Sequence, residues 1–212
     1  MDARQRTALP WALSALVSVL AVVVWGQSFG WDLRAVNSLL FFPVLGLLAY
    51  SIMWSHYMVG AVKHTYLRGV QLESYFRYTG YVVLIAILLH PGILVFQLYR
   101  DGFGLPPGSY AAYVGHAREW IALLGTVSLF VFLAFEFHRW FGQKSWWKYV
   151  IAAGDVAMLA IFYHGLRLGT QLRSGWFVAV WWFYGITLVA ALARKYIMLA
   201  TNKPGIDQTT NW

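Results

Sequence analysis

Six stretches of about 20 apolar residues follow one another along the chain and take up most of it. A helix rises 1.5 Å per residue, so about 20 residues cross the roughly 30 Å hydrocarbon core of a bilayer. The sequence therefore predicts an all-α fold, an integral membrane bundle of six transmembrane helices, in a single domain over residues 1–212. The expected spans are residues 11–29, 36–62, 78–99, 120–137, 146–166 and 176–193.

The low charge content excludes a soluble protein. Charged residues make up 11 % of the chain and hydrophobic residues 60 %, whereas soluble domains carry roughly 25 % charged residues. A water-soluble globule of this size could not bury so much apolar surface, so we expect the lipid bilayer as the main partner. We also expect a multi-pass protein of the inner (plasma) membrane.

The distribution of Lys and Arg predicts the orientation. If both termini lie on one side, eleven of the 16 basic residues lie there and five lie on the other side. The positive-inside rule then places both termini in the cytoplasm and the longest loop, residues 100–119, outside. Much of the formal net charge of +8 is thus a topology signal, and we expect no nucleic-acid partner.

The absence of cysteine limits the chemistry. With no Cys in the sequence, disulfides, iron–sulfur clusters, thiolate zinc sites, thioether-linked haem and cysteine nucleophiles are all excluded. Any chemistry must use His, carboxylate, Arg or Tyr side chains, or a bound cofactor.

Two histidines lie at matched depth in the predicted bundle. His90 follows Arg77 by 13 residues and His164 follows Trp147 by 17, which places them about 20 and 25 Å from the inner face. Both of their helices run outward, so both imidazoles belong to the outer half. Two such imidazoles can bind one metal, and haem iron is often held in this way. Either histidine alone is equally well explained by an interhelical hydrogen bond.

Small residues accompany both histidines. Ala86 precedes His90 by four residues and Ala160 precedes His164 by four, positions that share a helix face with the imidazoles. They would leave room for a flat macrocycle, although ordinary close packing of helices uses small residues in the same way.

A cation follows the second histidine. Arg167 lies three residues after His164 and one turn nearer the outer surface, where it could bind an outward-pointing haem propionate. Arg173 and Arg100 are the next candidates. A snorkelling Arg at the membrane interface is an equally good explanation.

Other ionisable residues at membrane depth suggest further roles, since such residues are costly in lipid. Asp155 could carry protons, bind a quinol hydroxyl or join a hydrogen-bond network. Glu136 lies near the inner end of its helix, and His56 and His138 could form a second metal site, which we consider the weaker interpretation.

A family resemblance adds to these observations. Residues 77–92, RYTGYVVLIAILLHPG, resemble the third helix of the ferric reductase-like transmembrane superfamily, in which Arg-x-x-Gly leads to a haem-ligating His. The match continues over residues 125–169, where a basic turn and Ser-Trp-Trp-Lys open a helix that closes on His164 and Gly165. Within the superfamily, the chain is most similar to haem-binding membrane subunits that serve bacterial periplasmic methionine sulfoxide reductases.

The resemblance implies one b-type haem, with His90 and His164 as its iron ligands. The family usually carries a further His on the fifth helix, where this chain has Ile151, and the partner position near Phe76 or Arg77 is not His either. An inner haem therefore lacks ligands. The resemblance also implies a cytoplasmic or quinol electron donor and an outer-face acceptor, with FMN or a quinone as a further cofactor.

The sequence thus favours a membrane cytochrome with one bis-histidine haem near the outer face. Two alternatives remain open. One is a proton-coupled transporter or channel subunit that uses the intramembrane Asp, Glu and His residues. The other is a non-catalytic membrane subunit that docks other proteins.

Overall fold

The computed structural model describes residues 3–201. Over this range the chain forms helices joined by short turns and loops, with no β-strand. The α-helices are α1 (Ala3–Gln27), α2 (Ser38–Val62), α3 (Glu73–Arg100), α4 (Tyr110–Val114), α5 (Glu119–Ala134), α6 (His138–Phe141), α7 (Trp147–Leu168) and α8 (Phe177–Thr201). Short 3-10 turns precede α2 and α5, follow α5 and precede α8.

Six helical segments are long and apolar enough to cross a membrane, which confirms the predicted number of spans. They comprise α1 from Gln5 onward, α2, α3, the segment His116–Phe137 that contains α5, α7 and α8. Several helices continue past the predicted apolar limits. For example, α8 runs through Arg194 and Lys195 to Thr201, because backbone hydrogen bonding does not stop where charged side chains begin. Residues 1–2 and 202–212 lie outside the described residues, and the predicted orientation stays a prediction.

The second helix is the centre of the bundle. Of its most apolar window, 56 % is buried inside the protein, against 11 % for the segment that contains α5. Helix α2 packs against α1, α3 and α8, and α5 packs mainly against α7. Among the described helices the closest packing is between α2 and α3, between α5 and α7, and between α1 and α2.

Aromatic side chains form the core between α2 and α8. The rings of Tyr50 and Trp181 lie 4.3 Å apart, and those of Trp54 and Tyr184 stack at 4.4 Å. Trp181 is buried, and its indole Nε1 donates a hydrogen bond to the Phe162 carbonyl at 3.2 Å. This core fixes α8 against α2 and α7.

Candidate functional site

His90 is held against the central helix by a backbone hydrogen bond. Its Nδ1 lies 2.8 Å from the Phe42 carbonyl oxygen on α2. Its ring lies over Gly46, where a β-carbon would be 2.7 Å from Cε1 and 2.9 Å from Nδ1. Only glycine leaves this space, so Gly46 and the Phe42 carbonyl together set the position of the ring.

His164 is held in the same way in the other helix pair. Its Nδ1 lies 2.8 Å from the Ile121 carbonyl oxygen on α5, and a β-carbon on Gly125 would lie 2.7 Å from Cε1 and 2.9 Å from Nδ1. In both pairs the carbonyl belongs to the residue four positions before the glycine. The two histidines thus have matching local environments on two different hairpins.

These hydrogen bonds determine which ring nitrogen carries the proton. A carbonyl oxygen can only accept, so Nδ1 of His90 and of His164 must donate, and Nε2 of each neutral ring keeps its lone pair. Within the described part of the chain neither Nε2 has a hydrogen-bond partner, and neither Nε2 atom is fully buried. Metal-binding histidines characteristically donate their other ring N–H to a carbonyl or carboxylate, which orients the ring.

Both imidazoles line one cavity among the helices. The cavity lies between α2, α3, α5 and α7. Its walls are mostly apolar, as in most ligand pockets, and Tyr50, Met53 and Phe132 line the end away from the loops that follow α3 and α7. Where those loops meet the cavity, its lining includes the polar side chains of Tyr113, Thr170 and Gln171.

The donor set suits a macrocycle better than a bare metal ion. Among residues 3–201 no three His, Cys, Asp or Glu side chains come together to hold a metal. Two neutral imidazoles with fixed rings suit iron whose four other ligands come from a porphyrin. The mostly apolar lining of the cavity suits an apolar group of this kind.

The alanines beside the histidines do not line the cavity. Ala86 and Ala160 are both absent from its walls. Along α7 the wall is formed by Ile161, His164, Gly165 and Leu168, and along α3 by Ile87, His90, Pro91 and Leu94.

On both helices the cavity wall is formed by the histidine and by the residues three positions before it, one after it and four after it. At about 100° per residue, these four positions form a sector that lies to one side of the histidine. The residue four positions before the histidine lies on its other side. Gly46 and Gly125 on the partner helices make room for the imidazole rings themselves.

Arg167 also lies outside the cavity wall. It follows His164 by three positions and so falls on the side of α7 away from the sector just described. Its side chain is exposed. Arg173 directly follows the lining residues Gln171 and Leu172, but it too is exposed and absent from the cavity wall.

Asp155 belongs to a separate buried network. Its carboxylate accepts hydrogen bonds from Tyr57 Oη at 3.0 Å, Tyr196 Oη at 2.7 Å and Lys195 Nζ at 2.7 Å. The Asp155 and Lys195 side chains are 6 % and 12 % exposed, so the ion pair is buried. Asp155 is absent from the cavity wall. Of the roles considered for it, this geometry favours the hydrogen-bond network.

His56 and His138 have different neighbours. His56 Nε2 lies 2.7 Å from Thr79 Oγ1, and its ring meets Tyr75 and Phe76 edge-on. His138 is exposed and packs against Trp147. None of the contacts of the described residues joins the two histidines, and Glu136 is exposed on the 3-10 turn after α5.

Sequence reasoning did not identify the glycines, although a signal was present. Phe42 and Gly46, and Ile121 and Gly125, repeat an apolar residue followed four positions later by glycine inside an apolar span. A single Gly in a helix interior costs stability relative to Ala, so it often has a packing reason. The signal does not say which side chain on which other helix uses the space.

Comparison of the chain with protein-family models, with curated proteins and with solved structures finds no match.

Proposed function

We propose that the chain is a membrane b-type cytochrome that transfers electrons through one haem, held by Nε2 of His90 and Nε2 of His164. The observation that supports this most is the matched pair of Nδ1 hydrogen bonds, to the carbonyls of Phe42 and Ile121. They leave both Nε2 lone pairs available beside a single apolar cavity. The proposal agrees with the resemblance to the ferric reductase-like superfamily.

The residues of the chain would bind, orient and insulate the group. Haem would supply a one-electron iron couple, and with His90 and His164 both holding the iron no position would remain open for oxygen, which favours electron transfer over oxygen chemistry. The apolar walls would surround the haem, and the Nδ1 hydrogen bonds would hold the two imidazole rings in place. The chain's role would then be to hold a redox centre within the bilayer.

The partners follow from the proposed orientation. With both termini in the cytoplasm, His90 and His164 lie in the outer half of the inner (plasma) membrane. Electrons would come from a quinol or from a cytoplasmic donor, with FMN as a candidate carrier, and would leave to an acceptor at the outer face. The sequence positions for inner-haem ligands hold Phe76, Arg77 and Ile151, so one haem is proposed.

Absorbance spectroscopy tests the proposal directly. The full chain, expressed with haem supplied and purified in detergent, should show a Soret band and should change spectrum on dithionite reduction, with about one haem per chain. His90→Ala and His164→Ala should each lose the six-coordinate spectrum. His116→Ala is the matched control, because His116 is exposed in the loop before α5. A purified chain without a Soret band, or two alanine variants with normal spectra, would overturn the proposal.

A further inference from the structure

The helical wall of the cavity is built twice from equivalent positions. With Gly125 placed on Gly46 and His164 on His90, every residue of α5 and α7 that lines the cavity falls on a lining residue of α2 or α3. The pairs are Pro43 with Ala122, Gly46 with Gly125, Leu47 with Thr126, Tyr50 with Leu129, Met53 with Phe132, Ile87 with Ile161, His90 with His164, Pro91 with Gly165 and Leu94 with Leu168. On α3 and α7 three of the four pairs are identical residues.

The contacts that fix the two imidazoles repeat as well. Each Nδ1 lies 2.8 Å from a backbone carbonyl oxygen, and in both halves that carbonyl lies four residues before the glycine. A β-carbon on either glycine would lie 2.7 Å from Cε1 of the histidine that packs against it. The repeat therefore includes the placement of the two proposed ligand rings as well as the lining of the wall.

The two halves are related by an approximate two-fold rotation. Successive membrane spans cross in opposite directions, so α2 runs parallel to α5 and α3 runs parallel to α7. Two parallel copies of one helix pair can face each other across a shared cavity only through a rotation about an axis along the helices. This rotation exchanges His90 with His164, and each lining position with its partner.

Haem b has a nearly matching symmetry of its own. Its two carboxylates lie on one edge, and its two vinyl groups lie among methyl groups toward the opposite edge. A half-turn about the line that joins these edges returns the ring, the iron and the carboxylates to the same places and exchanges vinyl with methyl groups. Because carboxylates are costly against apolar walls, they belong at an end of the cavity, which places this line along the axis of the site.

We propose that the two matched walls accept haem b in two orientations related by this half-turn. The proposal rests on the proposed haem function. It adds that the site recognises the iron and the ring without selecting which face of the ring meets His90. The ratio of the two orientations then depends on the paired positions at which the walls differ.

The differing pairs lie at both ends of the cavity wall. Met53 faces Phe132 in the pairing at the end away from the loops that follow α3 and α7, and Pro43 is paired with Ala122 nearer those loops. The edge that carries the vinyl groups faces one of these ends, so the difference at that end acts on the ratio.

Proton NMR of the haem methyl groups tests the proposal. The full chain is loaded with haem b, equilibrated and kept in the ferric state, in which bis-histidine iron shifts these signals away from those of the protein. Two sets of signals are expected, with populations within about tenfold of each other, because matched walls leave only a small difference in free energy. The control is a synthetic haem in which methyl groups replace both vinyl groups, so that its two orientations are identical, and it should give one set.

A single set of signals with haem b, or two sets with the symmetric haem, would overturn the two-orientation proposal. A chain that binds neither compound would instead overturn the haem function itself. These failures are distinguishable, because the Soret band reports binding whatever the orientation.

Two substitutions make a differing pair identical. Phe132→Met matches Met53, and Pro43→Ala matches Ala122. At least one should change the ratio by about two- to fivefold, and the one that does marks the end that the vinyl groups face. Gly80→Ala is the control, because Gly80 is absent from the cavity wall and an added β-carbon there meets nothing within 4 Å. If neither substitution changes the ratio, or Gly80→Ala changes it equally, the paired positions do not set the orientation.

Discussion

A β-carbon on Gly125 would lie 2.7 Å from Cε1 of His164. Gly46 stands in the same relation to His90, again at 2.7 Å. In each case the ring cannot swing away without losing its Nδ1 bond to the carbonyl of the same partner helix. Each glycine is therefore required for the observed position of the imidazole ring that packs against it.

Alanine at either glycine should displace the imidazole. Gly46→Ala and Gly125→Ala each force an added methyl group into the ring, and overpacking of this kind costs about 1–3 kcal/mol. We expect a lower ratio of haem to protein and an altered Soret band, measured on purified protein. Gly80→Ala and Gly92→Ala are controls on α3, where an added β-carbon meets nothing within 4 Å. Normal haem content in both Gly46→Ala and Gly125→Ala would show that glycine is not needed at either position.

The number and approximate limits of the spans could be predicted from hydropathy alone, because lipid imposes the same length on every crossing helix. Helix rise also predicts a shared depth for His90 and His164, and the two imidazoles line the same cavity. The neighbours of each ring did not follow, because sequence does not show which helices pack together or how each is rotated. The rotation of α7 about its own axis decides that Gly165 and Leu168 face the cavity and that Arg167 does not.

The predicted orientation can be tested with single cysteines, because the chain has none of its own. Leu105 is 63 % exposed in the loop after α3, and Tyr66 is 73 % exposed in the loop before it. A membrane-impermeant maleimide should label Leu105→Cys in intact spheroplasts, and Tyr66→Cys only after permeabilisation. The reverse pattern would place the termini outside and would move both histidines to the inner half of the bilayer.

A hydroxyl cluster should stabilise the packing of α1, α2 and α3. Tyr75 Oη lies 2.9 Å from Ser14 Oγ and 3.0 Å from Ser55 Oγ, and the two serines lie 2.7 Å apart. Tyr75→Phe leaves the serines bonded to each other, so we expect a loss of about 1 kcal/mol, seen as a lower Tm in detergent. Tyr81→Phe on the same helix is the control, since Tyr81 is exposed, and its Tm should not change. Equal shifts in both variants would show that the cluster contributes nothing.

The buried ion pair between Asp155 and Lys195 should contribute to stability and should not affect the proposed haem site. Asp155→Asn leaves the Lys195 ammonium without its carboxylate in a site where that side chain is 12 % exposed. Removing one partner of a buried pair costs about 3–5 kcal/mol, whereas removing both is often close to neutral. Thermal unfolding should therefore show a large loss for Asp155→Asn and a much smaller one for the double variant Asp155→Asn, Lys195→Met.

The exposed pair of Arg100 and Asp101 supplies the matched comparison. Its atoms lie 3.6 Å apart on side chains that are 61 % and 41 % exposed, and such pairs contribute about 0–1 kcal/mol. Asp101→Asn should thus barely shift the Tm. Because Asp155 is not part of the cavity wall, folded Asp155→Asn protein should keep the Soret position of the unaltered chain. A shifted Soret band with unchanged stability would instead place Asp155 at the cofactor.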